Sequence, residues 1–217
     1  MGNVESLRKT IPREEFDYQV LLDALQNYAQ PRKKINDLLT KGVIVRVKKG
    51  LYVFGDDYRN KPYSREILAN LIYGPSCVSL EYALHHYGLI PERVEAVTSV
   101  TTKRPKEFQT PVGLFQYRNV PEAGFHVGLQ RVELNDGRAY LMASPEKALA
   151  DKFRNDRGLH IRTRKACLNY LESSLRIEPG DLATLDVALL DKIATAYESK
   201  RIHLLVDLVK YLQKGTG

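Results

Sequence analysis

Cysteine is scarce in this sequence of 217 residues, which contains only Cys77 and Cys167. Two cysteines so far apart exclude a CxxC metal or redox motif and a disulfide-rich secreted scaffold, so we expect them to be small, half-buried hydrophobic residues. Long apolar runs are also missing, since none approaches the ~20 residues needed to cross a bilayer. The N-terminus has no apolar signal core. We therefore expect a cytoplasmic protein with no membrane partner.

The familiar signatures of catalysis are missing too. The sequence contains no HExxH, GxSxG or Walker A motif. The adjacent His85 and His86 would point about 100° apart on a helix, which makes them a poor metal pair. A metal-dependent nuclease needs an acid and a nearby acid-x-Lys pair, and neither Glu95 nor Glu133 has the companions that this pattern requires. We predict no catalytic residue, no metal and no cofactor, and a nuclease is the less favoured alternative.

Positive charge is concentrated in one short segment. The chain has 33 basic and 26 acidic residues, for a net charge of +7. Residues 31–50 contain a single acid, Asp37, and seven basic residues. The seven are Arg32, Lys33, Lys34, Lys41, Arg46, Lys48 and Lys49. A solvated surface usually mixes both signs, so this clustering favours an anionic partner.

The residues before and within this segment have the pattern of two helices. Apolar residues recur at helical spacing over Tyr18–Tyr28. Gln30-Pro31 then interrupts the pattern, and proline is favoured in the first turn of a helix. Apolar residues on one face predict a second, short helix over about 31–41.

A hairpin is predicted directly after these helices. Two β-rich runs, Val43–Val47 and Leu51–Phe54, flank the short turn Lys48-Lys49-Gly50. Helix, turn, helix and basic hairpin are the elements of a winged helix-turn-helix. The sequence therefore predicts such a DNA-binding domain in residues 1–58.

A winged helix-turn-helix places its second helix in the major groove and its hairpin against phosphates or an adjacent groove. Residues near the start of that helix can read base edges or hold phosphates, whereas lysines of the hairpin turn suit phosphates. The predicted DNA contacts are Arg32, Lys33, Lys34, Asn36, Lys41, Arg46, Lys48 and Lys49. The alternative is a protein-interaction module that uses the same scaffold without binding DNA.

A second domain is predicted after a polar linker at residues 55–65. Helices are expected at Ser64–Tyr73, Ser79–Tyr87, Ser144–Phe153, 162–174, 179–199 and 201–213. Strands are expected at Glu95–Thr102, Val112–Tyr117, Phe125–Leu134 and Arg138–Ala143, and Asn135-Asp136-Gly137 is a strong hairpin signal. Strands followed by helices favour an α+β class. Residues 64–217 would thus form a mixed α+β domain, regulatory or antitoxic in function, that ends in a helical segment.

Two weaker basic clusters lie in this second part. One has a single acid, Asp156, among Arg154, Arg157, Arg162, Arg164 and Lys165. It is either a solvated loop between helices or a second surface for an anionic partner. The other is Lys103-Arg104-Pro105-Lys106, which is more typical of a loop at the end of a strand.

Four phrases of the sequence, in order along the chain, together resemble one protein family. They are Leu38–Tyr52, Ser79–Pro91, Val97–Pro105 and Ser144–Lys152. This series resembles the AbiEi family, the antitoxins and transcriptional regulators of type IV toxin–antitoxin systems in bacterial abortive-infection operons. The resemblance covers roughly residues 18–155, whereas Asn3–Phe16 matches no phrase of the family.

The resemblance implies a repressor that binds double-stranded DNA at its own operator. It also implies a partner gene for a nucleotidyltransferase-like toxin, which the antitoxin counteracts without forming a stable complex. The toxin biology does not follow from composition or spacing.

Overall fold

The computed structural model of the chain describes residues 2–156, 158 and 160–215, in which helices and strands are mixed. The helices are α1 (Gly2–Thr10), α2 (Tyr18–Ala24), α3 (Pro31–Thr40), α4 (Arg65–Ile72), α5 (Leu80–His86), α6 (Glu122–Phe125), α7 (Pro145–Asn155), α8 (Arg164–Ser174), α9 (Pro179–Leu182), α10 (Val187–Ala196) and α11 (Lys200–Gly215). The strands are β1 (Glu15–Asp17), β2 (Ile44–Lys48), β3 (Leu51–Phe54), β4 (Ser76–Val78), β5 (Val97–Thr101), β6 (Lys106–Thr110), β7 (Gly113–Asn119), β8 (Leu129–Glu133) and β9 (Ala139–Ala143). The α+β class is therefore confirmed.

Residues 2–54, called here the N-terminal unit, contain α1 to α3 and an antiparallel sheet in the order β1-β3-β2. Pro31 begins α3, where its missing N–H costs no helical hydrogen bond. The predicted hairpin is present: β2 pairs with β3, and Gly50 adopts a φ of +86° in the turn, a conformation that glycine tolerates without strain.

Helix α1, which local sequence patterns do not predict, is part of the core of the N-terminal unit. Leu7 and the adjoining Ile11 are buried there. The guanidinium of Arg8 lies 4.1 Å from the ring centroid of Phe54 and donates a 2.8 Å hydrogen bond to Glu14. The start of the chain is thus packed against the hairpin.

Residues 65–215, as far as described, are called here the C-terminal unit, and they contain a six-stranded sheet in the order β6-β7-β5-β4-β9-β8. The β5–β7 and β4–β9 pairs are parallel and the other pairs are antiparallel. The hairpin predicted at Asn135-Asp136-Gly137 joins β8 to β9, and Gly137 has a φ of +79°. Helix α4 packs against β4 and β9, and α5 packs against β5 and α7.

Two predicted elements of the C-terminal unit are wrong in extent. The strand predicted over Phe125–Leu134 is replaced by α6, a loop and β8, because Gly128 adopts a φ of +79° that a regular strand does not accommodate. The single helix predicted over 179–199 is divided into α9 and α10. The Asp186 carboxylate accepts hydrogen bonds from the next helix at 2.8 and 3.1 Å, which caps a new N-terminus there.

The segment predicted as a linker, residues 55–65, is held at several points. Glu14 accepts hydrogen bonds from two of its backbone N–H groups, at 3.2 and 3.3 Å. Glu15 accepts one from the backbone of Ser64 and two from the guanidinium of Arg138, at 2.6 and 2.7 Å. Three hairpin residues also belong to the core of the C-terminal unit: Val47, Leu51 and Val53. The two units are therefore joined by buried contacts as well as by the chain.

A charged network lies inside the C-terminal unit. The Lys147 ammonium and the Asp151 carboxylate are both fully buried and lie 3.2 Å apart. Lys147 also donates 2.9 Å hydrogen bonds to the carbonyl of Gly124 and to the hydroxyl of Tyr197. The Ser79 hydroxyl donates to the other carboxylate oxygen of Asp151 at 2.6 Å, and the Tyr197 hydroxyl donates to the first. Each side chain named here therefore has a partner. The hydrogen bonds of Ser79 and Tyr197 to Asp151 connect α7 to the start of α5 and to the end of α10.

Candidate nucleic-acid interface

Helix α3 presents three of the predicted DNA-contacting side chains to solvent. Ile35 and Leu38 are buried in the N-terminal unit and fix the inner face of the helix. Arg32, Lys33 and Asn36 are exposed, and their spacing of three and four residues places them near one another. In the described part of the chain, Arg32 and Lys33 have no ion pair. The helix therefore exposes two uncompensated cations beside an amide.

Two other predicted residues share one carboxylate. Asp37 lies 3.4 Å from the ammonium of Lys34 and 3.0 Å from that of Lys41. The hydrogen bond from Lys41, followed by the one from Lys34, lowers the pKa of Asp37 below its ordinary value even though desolvation opposes the shift. The Lys34 ammonium also lies 5.4 Å from the ring centroid of Tyr28. These two lysines add less positive potential than Arg32 and Lys33 do.

The hairpin brings Arg46 and Lys49 to the surface but turns Lys48 inwards. Arg46 is exposed, with its guanidinium 6.0 Å from the ring centroid of Tyr52, and Lys49 is exposed in the turn. Lys48 is half-buried and donates a hydrogen bond to the carbonyl of Ile72 in the C-terminal unit. Burial, followed by the charges of two nearby lysines, lowers the pKa of Lys48. The two lysines of the turn therefore differ in their availability.

Those nearby lysines belong to the minor cluster Lys103-Arg104-Pro105-Lys106. Lys103 lies in the loop after β5, as predicted, whereas Lys106 begins β6. Lys103 and Lys106 act electrostatically on Lys48, and their ammonium groups lie 5.4 and 5.8 Å from the ring centroid of Tyr73. Lys103 also donates a hydrogen bond to the carbonyl of Gly74. The packing of the two units thus places this loop beside the hairpin and extends the positive surface into the C-terminal unit. The sequence contains the charges but no local signal for their position.

The second predicted basic surface is spread over three segments. Arg154 is near the end of α7, Arg162 lies in the following loop, and Arg164 and Lys165 begin α8. Arg157 lies outside the described residues. The guanidinium of Arg154 is 5.3 Å from the ring centroid of Tyr197, which directs it towards α10.

Residues of α11 lie beside part of this second basic surface. Arg164 lies 4.7 Å from the ring centroid of Tyr211 on α11. Arg164 and Tyr211 line a shallow groove, and Lys210 and Lys214 line it as well. Asp207 lines it as well, so that the groove carries mixed charge. It is therefore a less uniform positive surface than the one formed by α3 and the hairpin.

The two acids considered for a nuclease are not brought together. Glu95 precedes β5 and pairs with Arg93 at 2.8 Å, whereas Glu133 ends β8 and pairs with Arg131. In the sheet, β4 and β9 lie between those two strands. Among residues 2–156, 158 and 160–215, no group of three or more His, Cys, Asp or Glu side chains could hold a metal ion. The geometry gives the nuclease alternative no support.

Both cysteines are fully buried, which is deeper than the half-buried position predicted for them. Burial raises the pKa of the Cys167 thiol to about 12 and shifts that of Cys77 in the same direction. The thiolate is the reactive form of cysteine. Neither side chain therefore offers a nucleophile near neutral pH.

No protein-family model matches the chain, and no curated protein matches it either. None of the helices in the described ranges combines the length and the apolar content needed to cross a bilayer.

Proposed function

We propose that this chain is a winged helix-turn-helix protein that binds duplex DNA and represses its own operon by occupying the operator. The observation that carries the proposal is the exposed set Arg32, Lys33 and Asn36 on α3, next in the chain to the exposed Arg46 and Lys49 of the hairpin. Recognition helix and hairpin are the two elements with which this class of fold contacts DNA. Charge and predicted topology thus coincide.

In this proposal α3 reads the major groove. An arginine can make two hydrogen bonds to the O6 and N7 atoms of guanine, and an asparagine can do the same with the N6 and N7 atoms of adenine. Arg32 and Asn36 supply these two side-chain types on one helix face. Lys33 and the hairpin residues hold phosphates and fix the register of the helix, a role that carries no sequence information by itself.

Lys103, in the loop after β5, and Lys106, at the start of β6, extend this surface beyond the hairpin. They are exposed and lie close enough to Lys48 to lower its pKa, after the larger effect of its burial. A duplex lying along α3 and the hairpin would meet additional positive charge from the C-terminal unit. We assign these lysines to phosphate contacts, because an ammonium acts as a point charge.

The antitoxin role is proposed on the resemblance to the AbiEi family. The four matching phrases continue through the C-terminal unit as far as residue 152, so the resemblance is not confined to the DNA-binding elements. We propose that the C-terminal unit counteracts a nucleotidyltransferase-like toxin without forming a stable complex with it.

The experiment that tests DNA binding compares two duplexes across a salt series. Purified protein is titrated into DNA from upstream of its own gene and into random duplex of equal length. Steep salt dependence together with a preference for the upstream fragment supports an autoregulator, because phosphate contacts release counterions. Absence of binding to either duplex at low salt contradicts the proposal and moves the basic segment to a protein-contact role.

Asn36→Ala is expected to weaken sequence preference more than overall binding. Loss of one pair of hydrogen bonds to a base costs about 1–3 kcal/mol of discrimination, which corresponds to about 5- to 160-fold in the ratio of the two affinities. Asn169→Ala is the matched control, since Asn169 is also an exposed asparagine within a helix. Equal losses on upstream and random DNA would contradict the role assigned to Asn36.

The two lysines of the hairpin turn are expected to differ. Lys49→Ala removes an exposed cation and should reduce the slope of log K against log salt by about 1. Lys48→Ala should reduce it by less than half of that, because the Lys48 ammonium is half-buried and already donates to Ile72. Fluorescence anisotropy with random duplex measures both slopes. A larger reduction of the slope in Lys48→Ala than in Lys49→Ala would contradict this expectation, because it would mean that Lys48 is the main phosphate contact of the turn.

A further inference from the structure

A cleft of about 980 Å³ opens between the sheet and the helices of the C-terminal unit. It is lined by β5, β7, the loop at residues 102–105, the start of α5 and the end of α7, and is called here the β5–β7 cleft. Its volume lies at the upper end of the range of sites for small molecules. None of the roles described above makes use of it.

Two arginines of this cleft carry uncompensated charge. Arg118 is on β7, where it pairs in register with Val100 of β5, and Arg104 lies in the loop at residues 102–105. Both are exposed, and within the described residues neither guanidinium has a hydrogen-bond or ion-pair partner. By contrast, Arg93 and Arg131 on the same unit each pair with a carboxylate. Two unpaired guanidinium groups in one concavity form a site for an anion.

On the opposite wall of the cleft, the cation Lys152 is already paired with two carboxylates. The ammonium of Lys152 lies 2.8 Å from Glu81 and 2.6 Å from Asp156, so its charge is satisfied within the chain. The two carboxylates would repel a polyanion that crossed the whole cleft. The arrangement therefore favours a discrete ligand that is anionic at one end over a continuous nucleic-acid backbone.

The remaining lining is mixed, and its apolar part can accept the rest of such a ligand. The apolar residues are Leu80, Val94, Ala96 and Pro105, and the polar ones are Thr98, Thr102, Gln116, Asn119 and Asn155. A phosphate monoester carries about −1.5 to −2 charges near neutral pH, which matches two guanidinium groups better than a single carboxylate does. A planar nucleobase, which has apolar faces and polar edges, suits this mixed lining.

We propose that the β5–β7 cleft binds a nucleoside monophosphate, with its phosphate on Arg104 and Arg118 and its base against the apolar lining. The loop at residues 102–105 connects this cleft to the basic surface. The carbonyl of Arg104 accepts a 3.3 Å hydrogen bond from Tyr73, and the neighbouring Lys103 is held on Gly74 beside the hairpin. Occupancy of the cleft thus changes DNA affinity through this loop, a coupling that rests on the proposed function.

The binding test uses the full chain and isothermal titration calorimetry with AMP, adenosine and inorganic phosphate. AMP is expected to bind more tightly than either fragment. Arg104→Ala and Arg118→Ala should each weaken AMP binding by about tenfold or more, because each removes a charge-assisted hydrogen bond. Arg131→Ala is the matched control. Arg131 lies on β8, the edge strand at the far side of the sheet from β7, so this variant should leave the affinity for AMP unchanged.

Each other outcome contradicts the proposal. Absence of AMP binding removes the site, and equal affinities for AMP and phosphate remove the nucleoside part of the assignment. Unchanged AMP affinity in both arginine variants places the ligand elsewhere. Thermal unfolding of each variant checks that the fold is retained.

The coupling is tested separately, by measuring affinity for upstream DNA with and without saturating AMP. A change of threefold or more that is lost in Arg104→Ala supports the coupling. AMP binding without any DNA binding would leave the cleft assigned and contradict the proposed function, and AMP binding with unchanged DNA affinity would contradict the coupling alone.

Discussion

Asp151→Ala is expected to lower the free energy of unfolding by about 3–5 kcal/mol, because it leaves the buried ammonium of Lys147 without its counter-ion. Both side chains are inaccessible to solvent, so water cannot replace the lost carboxylate. Urea denaturation followed by circular dichroism measures the change as a shift of the unfolding midpoint at constant slope.

The size of this effect follows from how completely the network is paired. The three N–H groups of Lys147 meet three acceptors, on Gly124, Asp151 and Tyr197. A Cβ on Gly124 would lie 1.9 Å from the ring of Tyr197, so only glycine allows this close approach. Burial, and then the charge of Asp151, raises the pKa of Tyr197, which therefore stays protonated and can donate. Removal of one member leaves several buried polar groups unsatisfied.

Two further variants separate a lost ion pair from general damage to α7. Asp207→Ala, at an exposed aspartate of α11, should change stability by no more than about 0.5 kcal/mol. The double variant Lys147→Met with Asp151→Leu should lose less stability than the sum of the losses in Lys147→Met alone and Asp151→Leu alone. The reason is that the double variant leaves neither charge unpaired. If Asp151→Ala were as mild as Asp207→Ala, the network would not be closed in solution.

The elements predicted correctly are those with strong local signals. Helix α3 begins at a proline, and the β2–β3 hairpin turns at Gly50, whose positive φ favours glycine. The β8–β9 hairpin turns at Gly137 for the same reason. In each case the turn chemistry and the adjacent apolar pattern agree, so the prediction needed no knowledge of distant residues.

The strands that were missed have no such signals. Strand β4 is only three residues long and is buried in the middle of the sheet, where it follows a proline. Strand β6 is the polar edge strand Lys106–Thr110, which is defined by its pairing with β7 and not by alternation of its own residues. Strand β4 depends on β5 and β9, which lie far along the chain, and β6 depends on its pairing with the adjacent β7. Periodicity within either strand reveals neither dependence.

The candidate interface was likewise predictable only in its local part. The positions of Arg32, Lys33 and Asn36 on α3 follow from helical spacing. The inward orientation of the Lys48 side chain depends on its hydrogen bond to Ile72. The position of Lys103 near Lys48 depends on how the two units pack. The same holds for the buried network: a lysine and an aspartate four residues apart are more often a surface pair, and no residue of α7 by itself reveals that both are covered.

The triple variant Arg32→Ala, Lys33→Ala and Lys49→Ala is expected to weaken binding to random duplex by about 100- to 1,000-fold at ~0.1 M salt. Each lost phosphate contact reduces the slope of log K against log salt by about 0.9. On random duplex, where Arg32 has no cognate base to read, all three cations neutralise phosphates, so their loss reduces the slope by nearly 3. All three side chains are exposed, and no ion pair of theirs is present in the described part of the chain. Their removal should therefore leave the unfolding midpoint nearly unchanged.

A second triple variant removes the same number of charges from the other predicted basic surface. It combines Arg162→Ala, in the loop before α8, with Arg164→Ala and Lys165→Ala at the start of α8, and all three positions are exposed. If DNA lies along α3 and the hairpin, this variant should reduce the salt slope by less than 1. Equal losses from the two triple variants would mean that net charge alone governs binding, and a larger loss from the second would move the DNA interface to α8. The comparison thus tests the position of the interface independently of the overall charge of the protein.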